Sequence, residues 1–414
     1  FKRSEAHEPG ESEFHGGDGG LTVSTIRAKS AISEAFIDAA VEMGVPRNDD
    51  YNGAKQEGAG YFHQTARKGL RCSSAKAFIT PIRGNRPNLT IETGALVQRL
   101  IFAEDDPKRA MGVAFAQKGH NRQVHLRDGG EVILSAGAIG SPQILELSGI
   151  GRGDVLQTAG VALRHELPGV GEALQDHLQI RLVYEVNVPT LNDAINNPLK
   201  RMGIGLQYAL NRSGPMSLGA SQVCIFARST ETAEIPDIQF HFQPLSADKP
   251  GIVMHPFSGF TSSVCQLRPE SRGHIHINSS DPTAYPKIVP NYLSTTADQL
   301  CAIRAVRFAR AMTETKALSP FIVREHLPQS PPISDEDCLE VARNLSQTIY
   351  HPTSTCRMGQ DANAVVDARL RVRGITGLRV ADASIMPSIT SGNTNAPAIM
   401  IGEKAADLIL EDHR

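Results

Sequence analysis

Tyr350-His351-Pro352-Thr353-Ser354-Thr355-Cys356-Arg357-Met358-Gly359 is the first of two linked pieces on which the reading of this chain turns. The second runs from Val380-Ala381-Asp382-Ala383-Ser384-Ile385-Met386-Pro387 into Ser391-Gly392-Asn393-Thr394-Asn395-Ala396-Pro397. In each piece a short polar turn carries one group able to exchange protons or hydrogen bonds, and apolar or small residues flank it. That is the pattern of a reaction centre kept dry. The last piece also opens a helix. Asn395 is a favoured N-cap type, Pro397 fits the first turn because its missing N–H would be unpaired there anyway, and Ala398 to Leu410 continues with helical apolar spacing. The helix start places free N–H groups and partial positive charge beside Asn393, where a ligand that gains negative charge during reaction would be stabilised.

A flavin ring, whose pyrimidine edge becomes anionic on reduction, is one such ligand. The two pieces resemble the C-terminal part of the glucose-methanol-choline (GMC) family of FAD-dependent oxidoreductases, most closely its choline-dehydrogenase-like bacterial branch. In that family the histidine of the His-Pro-x-x-Thr-x-x-Met-Gly turn is the catalytic base, and the resemblance carries that role to His351. The second active-site position, a histidine or an asparagine, lies eleven residues before the lysine of the last helix, and counting back from Lys404 gives Asn393. The resemblance also implies FAD as cofactor and assigns it Val97, Asp382, Ala383, Asn395 and Ala396. Val97 would act through its backbone at the adenine end, and Asp382 near the pyrophosphate and ribityl chain. A plain strand valine and an N-terminal cap of the next turn are the structural alternatives for Val97 and Asp382.

A second motif lies upstream. Val132-Ile133-Leu134 reads as a buried strand, Ser135 to Gly140 as a turn of small residues, and Ser141-Pro142 as the N-cap and first-turn proline of a helix ending at Ser148-Gly149. Small residues let backbone approach a cofactor closely. Gly137 to Gly151 fits the family's second signature position by position, a run of fifteen residues. The resemblance continues through Leu167 to His177, where the family counterpart of His177 is structural.

With 414 residues the chain exceeds a usual single core, so two domains are expected. Hydrophobic content of 40% suits a globular protein, and no apolar run is long enough to span a bilayer, which argues against stable membrane insertion. A net charge of -2 with scattered Lys and Arg lacks the electrostatic footprint of nucleic-acid binding. The six cysteines are widely spaced, with no pair suggesting a zinc knuckle or redox motif, which favours a reducing cytoplasm. Phe1-Lys2-Arg3-Ser4-Glu5 is neither an initiator methionine nor a signal peptide, and it reads as the middle of a longer chain lacking the N-terminal Gly-x-Gly-x-x-Gly turn of the family. Gly16-Gly17-Asp18-Gly19-Gly20 follows no strand and reads as a flexible loop, within a polar surface connection over residues 1 to 20 whose His and Glu side chains are solvated.

Ser30 to Met43 has helical spacing, as does Asp298 to Thr313. Leu89 to Phe102 reads as two short strands around Gly94, Met111 to Ala116 and Val124 to Leu126 as further strands, and Asp128-Gly129-Gly130 as a hairpin-type turn. From Ile180 to about Asn344 the alternating pattern is that of an antiparallel sheet, clearest in Pro236 to Phe242 and Gly273 to Asn278. His274 and His276 share a strand face, but with no third ligand evident they read as a solvated face and no metal site is assigned. Cys356 reads as a passenger of its turn, not a nucleophile.

The expectation is therefore an α/β flavoprotein. A discontinuous Rossmann-like FAD-binding domain is built from residues 70–179 and 346–414, without its N-terminal βαβ unit. Residues 1–69 form a connecting part of the substrate domain, and 180–345 its antiparallel sheet and flanking helices. The activity implied is oxidation of a primary alcohol to an aldehyde by hydride transfer to FAD, with electrons passed to a quinone-like acceptor or oxygen. The absence of Trp and the 5% aromatic content lean against a choline cage. A hydroxynitrile lyase of the same fold, or a cofactor-free fragment, are the alternatives.

Overall fold

The computed structural model describes residues 1–248 and 253–413. The chain divides into two compact units. The first comprises Phe1–Asn85, Leu178–Arg268 and Thr296–Ile349, and the second Arg86–His177, Pro269–Thr295 and Tyr350–Arg414. Relative to the division expected from sequence, residues 70–85 belong with the first unit and 269–295 with the second.

The first unit is built on a seven-stranded antiparallel sheet in the order Ile322–Leu327, Leu178–Val186, Gly259–Gln266, Ile238–Gln243, Val223–Ala227, Gly58–Tyr61, with Ser346–Thr348 also paired to Leu178–Val186. The alternation over Pro236 to Phe242 corresponds to the strand Ile238–Gln243, but both of its faces are buried. Helices cover the sheet. Ala31–Glu42 starts at Ser30, whose side chain accepts from Ser33 N–H, and it buries Ile32, Phe36, Ile37 and Ala40. The Phe36 ring lies 4.4 Å from that of Phe242 and 6.2 Å from that of Phe240. A second helix spans Thr296–Thr313.

The glycine-rich stretch near the start is packed rather than flexible. Glu5–His7 pairs in parallel with Leu21–Val23, and a Cβ on Gly16 would lie 2.0 Å from the Lys2 carbonyl oxygen, so only glycine fits. His15, expected on a solvated connection, is buried because Glu5 and Asp50 each bind one of its ring nitrogens, at 3.0 Å.

In the second unit Val132–Leu134 lies parallel to Leu378–Val380, residue for residue, so the two motif-bearing segments of the sequence are sheet neighbours. A separate antiparallel sheet holds Ala95–Phe102, Ala110–Gln117 and His120–His125. No strand forms over residues 89–94, and the third strand lies earlier than Val124 to Leu126. The turn at Asp128-Gly129 leads to the parallel pair and closes no hairpin. The core gathers Leu134, Leu145, Val170, Cys356, Val380 and Ile401.

The helix expected to begin at Ser141-Pro142 instead spans Gly137–Leu147, with Pro142 inside it. A proline there cannot donate to the carbonyl four residues back, that of Ala138. Thr355 Oγ1 donates to that carbonyl at 2.6 Å, so the lost helical bond is replaced from a distant loop. This replacement lets the helix run through the proline.

Candidate active site

Three consecutive residues, Gln175, Asp176 and His177, organise the site. Their segment is held at Leu174, which exchanges both backbone hydrogen bonds with Gly273 (3.0 and 2.9 Å), and at Gln175, which does the same with Thr353 (3.3 and 2.9 Å). Gly273 must be glycine, since a Cβ would sit 2.0 Å from the Val289 carbonyl oxygen. The buried Gln175 amide donates to Pro269 O at 2.8 Å and accepts from Ile389 N–H at 3.0 Å, fixing the loop that leads to Asn393. Asp176 accepts from His351 N–H at 2.8 Å and from the Tyr292 hydroxyl at 2.5 Å.

His351 follows Tyr350, whose φ of 63° is left-handed and turns the chain sharply at this point. The His351 imidazole is 9% exposed, and its two nitrogens face different surroundings. Nδ1 lies 3.0 Å from Nδ1 of the fully buried His177, with ring centroids 5.3 Å apart at 81°. Nε2 lies 3.4 Å from Nδ2 of Asn393, an exposed residue. One end of the ring thus meets a buried imidazole and the other the amide of an exposed asparagine, and a ring held at one nitrogen can exchange a proton at the other. The structure brings together His351 and Asn393, the two residues that the resemblance singles out. The partnership of His177 with His351 was not legible locally, because the two are 174 residues apart.

Asp382 caps the short turn Ala383–Ile385 by accepting from Ser384 N–H at 2.8 Å. Its other oxygen accepts from Gly137 N–H at 2.9 Å and Ser141 Oγ at 2.5 Å, at the start of the helix Gly137–Leu147. Half-buried Ala383 accepts from Ser354 N–H at 3.3 Å, linking the His351 loop to this turn. The final helix spans Asn395–Asp412 with Thr394 as its N-cap, so Asn395 is the first helical residue rather than the cap. Thr394 is already near-helical in its backbone (φ -88°, ψ -4°) and makes no side-chain cap. Asn395 and Ala396 are exposed at this uncapped start. Val97 is half-buried in its antiparallel ladder opposite Phe115, just before a register shift.

Other candidates resolve structurally. Cys356 is fully buried, and burial pushes its thiol well above the usual range, the opposite of an activated nucleophile. His276, stacked on His274 at 5.1 Å, is not a solvated group. Its Nδ1 is 2.7 Å from fully buried Glu146 and its Nε2 is 3.2 Å from Glu172. Among the described residues one trio can bring metal-ligand atoms within 4.8 Å of one another: Asp248, His255 and His326 in the first unit. Both His255 nitrogens there are engaged, by Ser246 Oγ at 3.1 Å and Asp248 at 3.0 Å.

Comparison with known proteins accords with these features. Two family models, both described as GMC oxidoreductase, match residues 1–179 and 269–402. The alcohol dehydrogenase (acceptor) of Pseudomonas putida is 40% identical over 412 residues, covering 99% of this chain and 74% of that protein. An oxygen-dependent choline dehydrogenase of Escherichia coli is 40% identical over 415 residues, covering 99% and 73%. A solved structure of an Aspergillus oryzae formate oxidase variant, determined to follow modification of its FAD, superimposes with a TM-score of 0.90 at 25% identity. It covers the whole of this chain and 77% of that one. The family models and the sequence relatives together define an oxidoreductase. The chain belongs to the GMC oxidoreductase family. No helix among the described residues is long and apolar enough to cross a membrane.

Proposed function

We propose that this chain oxidises a primary alcohol to the aldehyde, with FAD as cofactor, His351 as the base and Asn393 as the hydrogen-bond partner of the substrate oxygen. Losing both the hydroxyl proton and the hydride of the same carbon needs a proton acceptor and a hydride acceptor, and no side chain serves as the second. FAD, when bound, supplies that hydride acceptor. The carrying observation is the approach of His351 Nε2 and Asn393 Nδ2 to 3.4 Å at the outward end of a ring whose other nitrogen is buried. His351 takes the hydroxyl proton on Nε2, and Asn393 holds the oxygen in line as that proton leaves.

The residues present fit a flavin dinucleotide. The start of the helix Asn395–Asp412 has no capping side chain, and its exposed N–H end suits the ring edge that gains negative charge. Gly137, with φ +79° and open space where a Cβ would stand, lets backbone approach a phosphate chain beside Asp382. Asp382, Ala383, Asn395 and Ala396 are the residues assigned to hold the cofactor there, and Val97 its adenine end. A quinone-like acceptor or oxygen would take up the electrons; the names of the two sequence relatives speak of an unspecified acceptor in one and of oxygen in the other.

Anaerobic mixing of the FAD-loaded chain with a panel of primary alcohols tests the reading, since a lyase leaves the flavin yellow. His351→Ala should slow flavin bleaching by about 10²–10⁴-fold while flavin content stays near wild type. An unchanged rate would remove His351 from the chemistry.

A further inference from the structure

We propose that His177 is the positioning residue of His351, holding it in the tautomer whose Nε2 is unprotonated and can accept a proton. The inference rests on the reading of His351 as the base and adds a residue that nothing in the motif pattern singles out for the chemistry.

Two imidazole nitrogens 3.0 Å apart share one proton, because two lone pairs would repel and two N–H groups would collide. Either His351 donates from Nδ1 or His177 does. In the second case a neutral His351 carries its proton on Nε2 and cannot act as a base there. The Asn393 amide favours the first: its Nδ2, a donor, faces Nε2 at 3.4 Å, a pairing that suits Nε2 as the acceptor and the His351 proton on Nδ1. His177 Nδ1 then accepts, and its own proton sits on Nε2.

The adjacent carboxylate does not take this role, although it is next in sequence. Both Asp176 oxygens are engaged, one by His351 backbone N–H and the other by the Tyr292 hydroxyl. Asp176 fixes where the His351 backbone stands, and His177 fixes how its ring is turned. A neutral imidazole in a fully buried position orients the base without placing a second charge in the interior. During turnover the alcohol O–H bond breaks, its proton bonds to His351 Nε2, and the Nδ1–H···Nδ1 contact stays intact beneath the imidazolium.

The test uses the full chain as wild type, His177→Asn and His177→Leu. Asparagine places an accepting oxygen near the position of Nδ1, and leucine offers no acceptor. The first readout is ring ¹⁵N NMR of histidine-labelled protein without turnover, with the His351 signals assigned by their loss in His351→Ala. The wild type should show a protonated Nδ1 and an unprotonated Nε2. His177→Leu should shift His351 toward the other tautomer, and His177→Asn should restore it.

The second readout is the anaerobic rate of flavin reduction by whichever alcohol of an ethanol-to-benzyl-alcohol panel bleaches the wild type fastest. His177→Leu should lower the limiting rate by about 10²-fold with alcohol affinity changed by less than about 3-fold, and His177→Asn should recover about tenfold of that loss. Wild-type His351 protonated on Nε2 would overturn the proposal even if the leucine variant failed to fold. So would equal rates in the asparagine and leucine variants with the wild-type tautomer retained in both. Loss of activity in His351→Ala alongside either result would sink His177 while leaving the base in place.

Discussion

Asp382→Asn probes how the second unit is held together behind the site, and its cost can be worked from three contacts. Asp382 is 8% exposed and accepts from Gly137 N–H (2.9 Å), Ser141 Oγ (2.5 Å) and Ser384 N–H (2.8 Å). The first two tie it to a helix start more than 240 residues earlier in the chain. A carboxamide has a single accepting oxygen. Turned one way its NH₂ meets the Ser384 N–H; turned the other it meets Gly137 N–H. The better orientation keeps two hydrogen bonds and loses one.

A bond to a charged group contributes about 1.5–3 kcal/mol and a neutral one about 0.5–1.5 kcal/mol. Losing one charged bond and weakening two by about 1 kcal/mol each gives roughly 4 kcal/mol. Solvent reaching the exposed edge lowers this to about 3 kcal/mol. Urea unfolding followed by circular dichroism, on protein free of cofactor, measures the cost apart from any FAD contact. A loss below about 0.5 kcal/mol, the range of an ordinary surface change, would refute the structural tie. If such a variant had also lost FAD, Asp382 would be a cofactor residue alone.

Thr355→Val keeps side-chain volume but leaves the Ala138 carbonyl opposite Pro142 without its 2.6 Å donor, and should cost about 1–3 kcal/mol in thermal or urea unfolding. Arg379, only 1% exposed, binds Glu131 at 2.5 Å and Asp412 at 2.7 Å, so Arg379→Met should destabilise by about 1.5–3 kcal/mol, read as a lowered urea midpoint: Glu131 falls back on His413 at 3.3 Å, while Asp412 retains Arg369 and Arg371. For His276, burial pulls the imidazole down, but Glu146 and Glu172 together outweigh it and hold it above its ordinary 6.5. Stability from this group is therefore full below about pH 6.5 and is lost as pH rises through the folded value. The stability gap between wild type and His276→Asn should shrink as pH rises above about 6.5 in parallel urea titrations, and a gap that widens would reverse the sign.

The helix within Ser30 to Met43, the Val132–Leu134 strand and the body of the final helix follow from signals a few residues long, whereas the cap of that last helix, expected at Asn395, falls at Thr394. His351 and Asn393 are singled out by the family resemblance, and the structure brings their polar ends within 3.4 Å. Three of the differences share one physical cause, a partner that lies outside the local stretch of sequence. Pro142 sits inside a helix because Thr355, 217 residues away, serves the orphaned carbonyl. His15 is buried because Glu5 and Asp50 meet it from two sides. His276 looked solvated because the Glu146 that pairs with it lies 130 residues earlier. Periodicity carries no information about such partners.

The same principle explains why the site is assembled on Gln175 to His177. His351 and Asn393 both come from turns with little secondary structure of their own, and a turn alone cannot hold two polar atoms in register against thermal motion. A third segment must bind both. Gln175 does so for the Asn393 loop through Ile389 N–H, while Asp176 and His177 do so for the backbone and ring of His351. Because that segment is itself pinned to Gly273 and Thr353 by paired backbone bonds, any error in its position would move base and carboxamide together. Their mutual distance is thereby better protected than the position of either one, and for a substrate oxygen that must meet both groups at once that distance is the quantity that matters.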